Sequence, residues 1–389
     1  MGEIVAGMLL GPSLLGWLAP QAYGQLLPAN IAPYLSLIAQ IGIILFMFLV
    51  GLELDTSLLR QRTRASIAIS HASIVAPFLL GAALALWIYP RFAGSGYAGA
   101  GVSFTPFALF IGVAMSVTAF PVLARILTDS NLQRTRLGAL ALACAAVDDV
   151  TAWCLLALVV GVAHAEPGRV IFTVGATAAF AAFMLLFVRK VVLWLVHRQV
   201  RSGKTTQPQT SQPMFTAVCV ALLLSALATE GIGIHALFGA FLLGAIIPHD
   251  SVLAYDIREK CEDLVIVLFL PVFFAFTGMR TQVGLLNTST DWLVCAAIIL
   301  VATLGKFGGS FVAARLTGSG TREAASLGIL MNTRGLMELV VLNVGLDLGV
   351  LSPTLFAMFV LMALATTLAT SPILRVIAKH PSEGTTSVH

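Results

Sequence analysis

The sequence predicts an all-α polytopic membrane protein with about twelve transmembrane helices, and three observations carry that prediction. Of 389 residues, 58% are hydrophobic and only 10% are charged, with a mean hydropathy of +0.96, whereas a soluble domain carries roughly 25% charged residues. Uncharged runs at 4–52, 65–90, 92–124, 205–229 and 348–374 each meet the ~20 residues a helix needs to cross a bilayer. Lys and Arg also sort onto alternate loops, as in polytopic proteins. The same composition excludes a disordered chain, a collagen and a disulfide scaffold.

Broken at charges and turn residues, the first half gives candidate helices at 3–18, 33–54, 66–90, 106–128, 137–162 and 169–196. The second half gives 212–231, 234–248, 262–279, 291–316, 324–346 and 353–378. Between them lies the longest polar stretch, 197–213, rich in Gln, Ser, Thr and Pro. No soluble domain fits anywhere. Met1-Gly2-Glu3 lacks a basic n-region, so no cleavable signal peptide is expected. Cys144, Cys154, Cys219 and Cys295 sit in apolar runs and Cys261 in a loop; they read as small packers, with neither a disulfide set nor a metal cluster.

Seventeen of the 22 Lys and Arg fall on one side, including Arg60, Arg62, Arg64, Arg134, Lys204 and Lys379, against Arg91, Arg169 and Arg280 on the other. The positive-inside rule then places both chain ends in the cytoplasm. The net charge of +4 is a topological signal rather than a nucleic-acid patch. Helices one to five run with opposite sense to helices eight to twelve, which permits an inverted repeat. AGMLLGP in the first helix and GAFLLGAIIP in the eighth support it. Helix four carries Ser116-Val-Thr118-Ala-Phe-Pro121 and helix eleven Asn332-Thr-Arg334-Gly335. Proline inside a helix removes a donor and clashes with the preceding turn, so Pro121 marks either a break in helix four or simple bending of it. The polar residues around both breaks either satisfy freed backbone groups or bind an ion.

Five ionisable residues sit near mid-helix: Asp148 and Asp149 in helix five, Lys306 in helix ten, Arg334 and Glu338 in helix eleven. At roughly 2.5–3.5 kcal/mol each, they represent on the order of 12–17 kcal/mol gross, and intramembrane charge is functional by default. Arg334 and Glu338 are four apart and can pair locally, either as a neutralised brace or as part of the site. Lys306 has no acid within reach on its own helix, so the aspartates are its partner, for structure or for a proton cycle. Neighbours on a helix point about 100° apart, so one aspartate can pair with Lys306 while the other faces a cavity. A carboxylate that alternately holds a proton and a hard monovalent cation is what exchange requires, with carboxylate, hydroxyl and backbone oxygens as ligands. His71 and His235 lie near helix ends, as packing histidines or pH sensors.

Three segments give a resemblance across nearly the whole chain: Ala146-Val-Asp148-Asp149-Val-Thr-Ala-Trp153, the opening Gly2-Glu3-Ile-Val-Ala-Gly-Met-Leu-Leu-Gly-Pro-Ser-Leu-Leu-Gly16, and Asn332-Thr-Arg-Gly-Leu-Met-Glu338. Together they resemble the monovalent cation:proton antiporter-2 family, with its Kef- and Nap-type antiporters and the plant cation/proton exchangers. The resemblance implies a sodium/proton-antiporter-like fold with inverted repeats and crossed broken helices. It also implies scaffold or dimerisation helices at 1–65 and 214–290, core helices at 66–165 and 291–380, a linker helix and polar loop at 166–213, and a short tail at 381–389. Asp149 matches the family's cation- and proton-carrying aspartate, Asp148 its neighbour paired to a helix-ten lysine, here Lys306, and Thr118 an added oxygen ligand. Ser116, Pro121, Asn332, Arg334 and Glu338 would support the core. Paired aspartates with a lysine resemble the electrogenic members, which exchange two protons per cation.

Family members usually carry another helix before the Gly-Glu-Ile opening, often part of the dimer interface, so a homodimer is a weaker expectation than transport. About ten residues follow the last helix, too few for the nucleotide-binding domain of Kef-type proteins, so no prediction of ligand gating follows. The expected function is electrogenic exchange of a monovalent cation, sodium first and potassium second, for protons by alternating access, with no cofactor. The expected location is a bacterial inner membrane, with the bilayer as partner. An intramembrane aspartyl protease is the enzyme rival, disfavoured because adjacent residues on one helix do not easily converge on one water and no second acid motif is present. A proton-uncoupled cation channel and a symporter on the same fold are the alternatives.

Overall fold

A computed structural model describes residues 2–28, 30–53, 64–92, 101–133, 135–164, 169–201 and 212–378. Arg60, Arg62, Arg134, Lys204 and Lys379, most of the polar stretch at 197–213 and the tail at 381–389 lie outside the described residues. The first helices are α1 (Gly2–Leu10), α2 (Leu15–Leu18), α3 (Pro20–Leu26), α4 (Ala32–Glu53), α5 (Arg64–Phe92), α6 (Phe104–Ser116), α7 (Phe120–Asp129), α8 (Arg136–His164) and α9 (Arg169–Phe183). They are followed by α10 (Arg189–Arg201), α11 (Gln212–Ile232), α12 (Ala236–Ile246), α13 (Val252–Leu264), α14 (Leu270–Arg280), α15 (Ser289–Leu316), α16 (Thr321–Met331), α17 (Leu336–Asp347) and α18 (Pro353–Ala378). Single π-helical turns, Met184–Val188 and Val265–Phe269, join α9 to α10 and α13 to α14. No β-strand occurs among the described residues.

Nine spans among the described residues are long and apolar enough to cross a membrane, or ten if the bent pair α16–α17 is one span. The other two of the twelve expected helices are apolar but short. One is interrupted between Leu10 and Leu15, and the other, α12, has 11 residues, about 16 Å of helix against a ~30 Å hydrocarbon core. Cys261, expected in a loop, lies inside α13. The Ser251 hydroxyl accepts from the Ala254 N–H at 3.1 Å and starts that helix well before the apolar run at 262. Hydropathy marks the membrane-immersed part of a helix, whereas a cap sets where the backbone begins to coil.

The chain divides into two compact units, Met1–Thr56 with Trp153–Gly284 and Ser57–Ala152 with Leu285–His389. The division falls inside α8 rather than at its end, and α9–α10 belong to the first unit. In the first unit α1 packs on α14, and α12 on α4. Both contacts are backbone-close: a Cβ on Gly7 would strike Ala275, and a Cβ on Gly244 would strike the Phe48 carbonyl. Exchanging helices one to five with eight to twelve converts one contact into the other, as an inverted repeat requires. The Ser13 hydroxyl donates to the Thr281 carbonyl at 2.7 Å and accepts from the Val283 N–H at 3.1 Å, tying the interruption after α1 to the end of α14.

The second unit holds α5, α6, α7, the first part of α8 and α15–α18. Its main packing is α5 against α15 and α6, and α15 against α16. One end is filled by a buried cluster that includes Ile69, Leu123, Leu127, Cys144, Leu330 and Met331.

Candidate functional site

Two membrane helices of the second unit are broken, and the breaks meet. Helix α6 stops at Ser116 and α7 begins at Phe120, with Val117 and Ala119 extended. Of the two sequence readings of Pro121, a break or a bend, the break is found, with Pro121 in the first turn of α7. There its missing N–H has no intrahelical partner to lose and its fixed φ suits a helix start. Helices α16 and α17 are bent by 43° at Asn332–Gly335. The Ala119 N–H donates to the Thr333 carbonyl at 3.1 Å, bonding one break to the other. Gly335 makes the approach possible, because a Cβ there would lie 2.5 Å from Val122 Cγ2.

Arg334 braces the crossing. Its guanidinium donates to the Ala114 carbonyl at 2.9 Å, the Met115 carbonyl at 2.7 Å and Glu338 Oε2 at 2.8 Å. Those carbonyls end α6, where four acceptors lack intrahelical donors and the helix dipole favours a cation. The Arg334 N–H donates to Thr367 Oγ1 at 3.0 Å, and that hydroxyl donates back to the Arg334 carbonyl at 2.6 Å. The geometry therefore gives the Arg334–Glu338 pair a structural task. Ser116 spends its hydroxyl on the Gly112 and Ile74 carbonyls, at 2.7 and 3.1 Å. Asn332 closes α16 with its backbone N–H, while its buried Oδ1 and the Thr333 hydroxyl have no hydrogen-bond partner.

Lys306 is brought in by small residues on its own helix. A Cβ at Gly305 would lie 2.6 Å from Pro77 Cα and one at Gly309 2.6 Å from the Ala72 carbonyl, so α15 rides on α5 at small-xxx-small spacing. Lys306 Nζ donates to Asp148 Oδ2 at 2.9 Å and to Thr118 Oγ1. Asp148 Oδ2 also accepts from Ser73 at 2.7 Å and Thr118 at 2.9 Å, and Oδ1 accepts from Ser70 at 2.8 Å. Ser70, Ser73, Thr118, Asp148 and Lys306 are each fully buried. Three of these four donors converge on Oδ2 and one on Oδ1. The sequence marks Ser70 and Ser73 only as two hydroxyls three residues apart in an apolar span.

Asp149 is 3% exposed and has an environment of its own. The Phe120 backbone N–H, at the positive end of α7, acts on its carboxylate. Its Oδ1 has no hydrogen-bond partner. One carboxylate is thus held by a lysine and three hydroxyls, while one oxygen of its neighbour has no hydrogen-bond partner. Among the described residues no cluster of three or more His, Cys, Asp or Glu could hold a metal ion. His71 is exposed, with Nδ1 2.8 Å from the Ile67 carbonyl of its own helix, and His235 caps α12. Neither belongs to this network.

Ionisable groups buried at breaks in membrane helices, within an inverted-repeat architecture, define a secondary ion transporter. The chain belongs to the sodium/hydrogen exchanger family, whose transmembrane model matches residues 1–379. It is 45% identical to the Na(+)/H(+) antiporter NhaS4 of Synechocystis, over 98% of this chain and 91% of that protein. It is 39% identical to cation/H(+) antiporter 20 of Arabidopsis thaliana and 34% identical to K(+)/H(+) antiporter 1 of Saccharomyces cerevisiae. Those matches cover 99% and 97% of this chain but only 46% and 43% of the plant and yeast proteins.

Proposed function

We propose that this protein exchanges a monovalent cation, sodium first and potassium second, for protons by alternating access. The relatives' names support cation:proton exchange and differ on the ion. The observation that carries the site assignment is the unequal state of two adjacent carboxylates: Asp148 is bonded by four donors, whereas Asp149 Oδ1 is unpartnered. In this reading Asp149 carries the proton or the cation, Thr118 and Asp148 add oxygens, and Lys306 answers the change of charge. Ser116, Pro121, Asn332, Arg334 and Glu338 shape the breaks around them.

The exchange is electrogenic in the same reading. Proton-loaded, the site holds neutral Asp149, Asp148⁻ and Lys306⁺, with no net charge. If the cation opens the pair and Lys306 gives up its proton, two carboxylates and one cation leave the site at one negative charge. The two half-cycles then differ by one charge, which answers to the membrane potential.

The unit that contains the network serves as transport core and the other as scaffold. A homodimer through the scaffold rests on the family resemblance alone. The basic-residue asymmetry supports a cell membrane, bacterial inner membrane in the first instance, with both ends of this chain cytoplasmic.

The test is proton flux in vesicles of known orientation, with Na⁺, K⁺ and Li⁺ added separately to wild type and Asp149→Asn. Cation-evoked proton movement that disappears in the variant is the expected result and ranks the ions. Flux that persists in Asp149→Asn removes that residue from the carrying role, and flux without proton coupling favours the channel alternative.

A further inference from the structure

Asp148 has more donors than a salt bridge needs, and they differ in how freely they can turn. Each hydroxyl carries one hydrogen. Ser70 donates to Asp148 Oδ1 at 2.8 Å. Ser73 Oγ lies 2.7 Å from Asp148 Oδ2 and 2.8 Å from the Ser70 carbonyl, two acceptors within equal reach of a single hydrogen. Thr118 Oγ1 likewise has Asp148 Oδ2 at 2.9 Å and the Met331 carbonyl at 3.3 Å, while accepting from Lys306. The wall is prepared for two arrangements, one with the lysine against the carboxylate and one without it.

A buried carboxylate with a lysine as its one donor could not release it without being stranded. We propose that Ser70 and Ser73 are positioning residues that hold Asp148 charged while Lys306 is away, and so set how easily an arriving cation opens the pair. When Lys306 withdraws, Ser73 turns its hydrogen onto Oδ2 and Ser70 keeps its bond to Oδ1. With the lysine in place, as in this structure, the single Ser73 hydrogen is shared between Oδ2 and the Ser70 carbonyl, so withdrawal of the lysine needs only a small turn of that hydroxyl. This inference rests on the exchange reading above.

The test is exchange in proteoliposomes as a function of cation concentration, for wild type, Ser70→Ala, Ser73→Ala and the double variant. Ser310→Ala is the control, a fully buried serine of the same unit whose hydroxyl has no hydrogen-bond partner. Hydrogen bonds to a charged group are strong enough that each removed serine should raise the half-saturating cation concentration about tenfold. The maximal rate should stay within about twofold, the pattern of weakened binding rather than impaired turnover, and Ser310→Ala should match wild type. If the double variant does not survive purification, the single variants decide.

Unchanged half-saturation in the serine variants of an active protein overturns the inference and leaves the exchange reading standing. A loss of maximal rate alone, or an equal shift in Ser310→Ala, overturns it too. A wild type without cation-evoked proton movement overturns the exchange reading and the inference with it.

Discussion

The backbone N–H of Ala119 donates to the carbonyl of Thr333 at 3.1 Å, so the break in one membrane helix is fastened to the break in another. Each break leaves backbone groups without helical partners, and in a bilayer core nothing else is there to take them. Crossing the breaks lets each satisfy the other, with Arg334 on the α6 carbonyls and Thr367 on both sides of Arg334. The carboxylates lie beside this crossing, in the same unit of the chain.

Closeness at the crossing depends on Gly335. Replacing it by Ala places a Cβ against Val122 and Ala119 and should cost about 1–3 kcal/mol through overpacking. Adding Val122→Ala removes the nearest atom and should recover a large part of the loss. Thermal unfolding in detergent measures both, and a double variant no more stable than Gly335→Ala would refute the steric account.

Breaking the Asp148–Lys306 pair should be far worse than removing it. Lys306→Met leaves a buried carboxylate without its counter-ion, a loss of about 3–5 kcal/mol. Asp148→Asn combined with Lys306→Met leaves no stranded charge and should be more stable than Lys306→Met alone. Denaturation in matched detergent gives the ranking; equal stability of the two variants would mean that Asp148 is not ionised in the resting protein.

Arg334 and Glu338 form one pair but carry unequal loads. Arg334→Ala exposes two helix-end carbonyls and strands Glu338, and should cost about 3–5 kcal/mol. Glu338→Gln keeps an acceptor for the guanidinium, which also retains its two carbonyl partners, and should cost less, about 1.5–3 kcal/mol. Unfolding of the two single variants checks the order, and a larger effect at Glu338 would contradict the bracing role.

Charge movement should depend on Lys306. Lys306→Gln removes the group whose proton makes the half-cycles differ by one charge, so exchange in that variant should no longer respond to an imposed membrane potential. Solid-supported membrane currents, read beside proton flux, separate electrogenic from electroneutral turnover. Full electrogenicity in Lys306→Gln would end this account of the stoichiometry.

The membrane class and the positions of twelve apolar helices were legible in the chain because hydropathy sums locally and a bilayer reads it locally. Five buried charges were legible for the same reason, since each stands out against its own helix. Pro121 shows where local reading stops: its chemistry was plain, but whether it kinks a helix or starts one depended on where α6 ended. Cys261 shows the same for helix bounds, which follow the cap at Ser251 and not hydropathy alone. Ser70, Ser73 and Thr367 gave little sign of their tasks, because a hydroxyl in an apolar helix usually bonds its own backbone.

The sequence by itself marked five mid-helix charges for burial, Asp148, Asp149, Lys306, Arg334 and Glu338, but gave no sign that Asp256 is buried as well. Only the tertiary structure decided their partners: Ser70 and Lys306 meet Asp148 across 78 and 158 residues of chain. Such pairings depend on which helices approach, and that in turn depends on close contacts such as Gly305 on Pro77. Burial is a property that each residue carries with it, whereas a hydrogen bond between distant segments exists only once packing has fixed distance and direction for both ends.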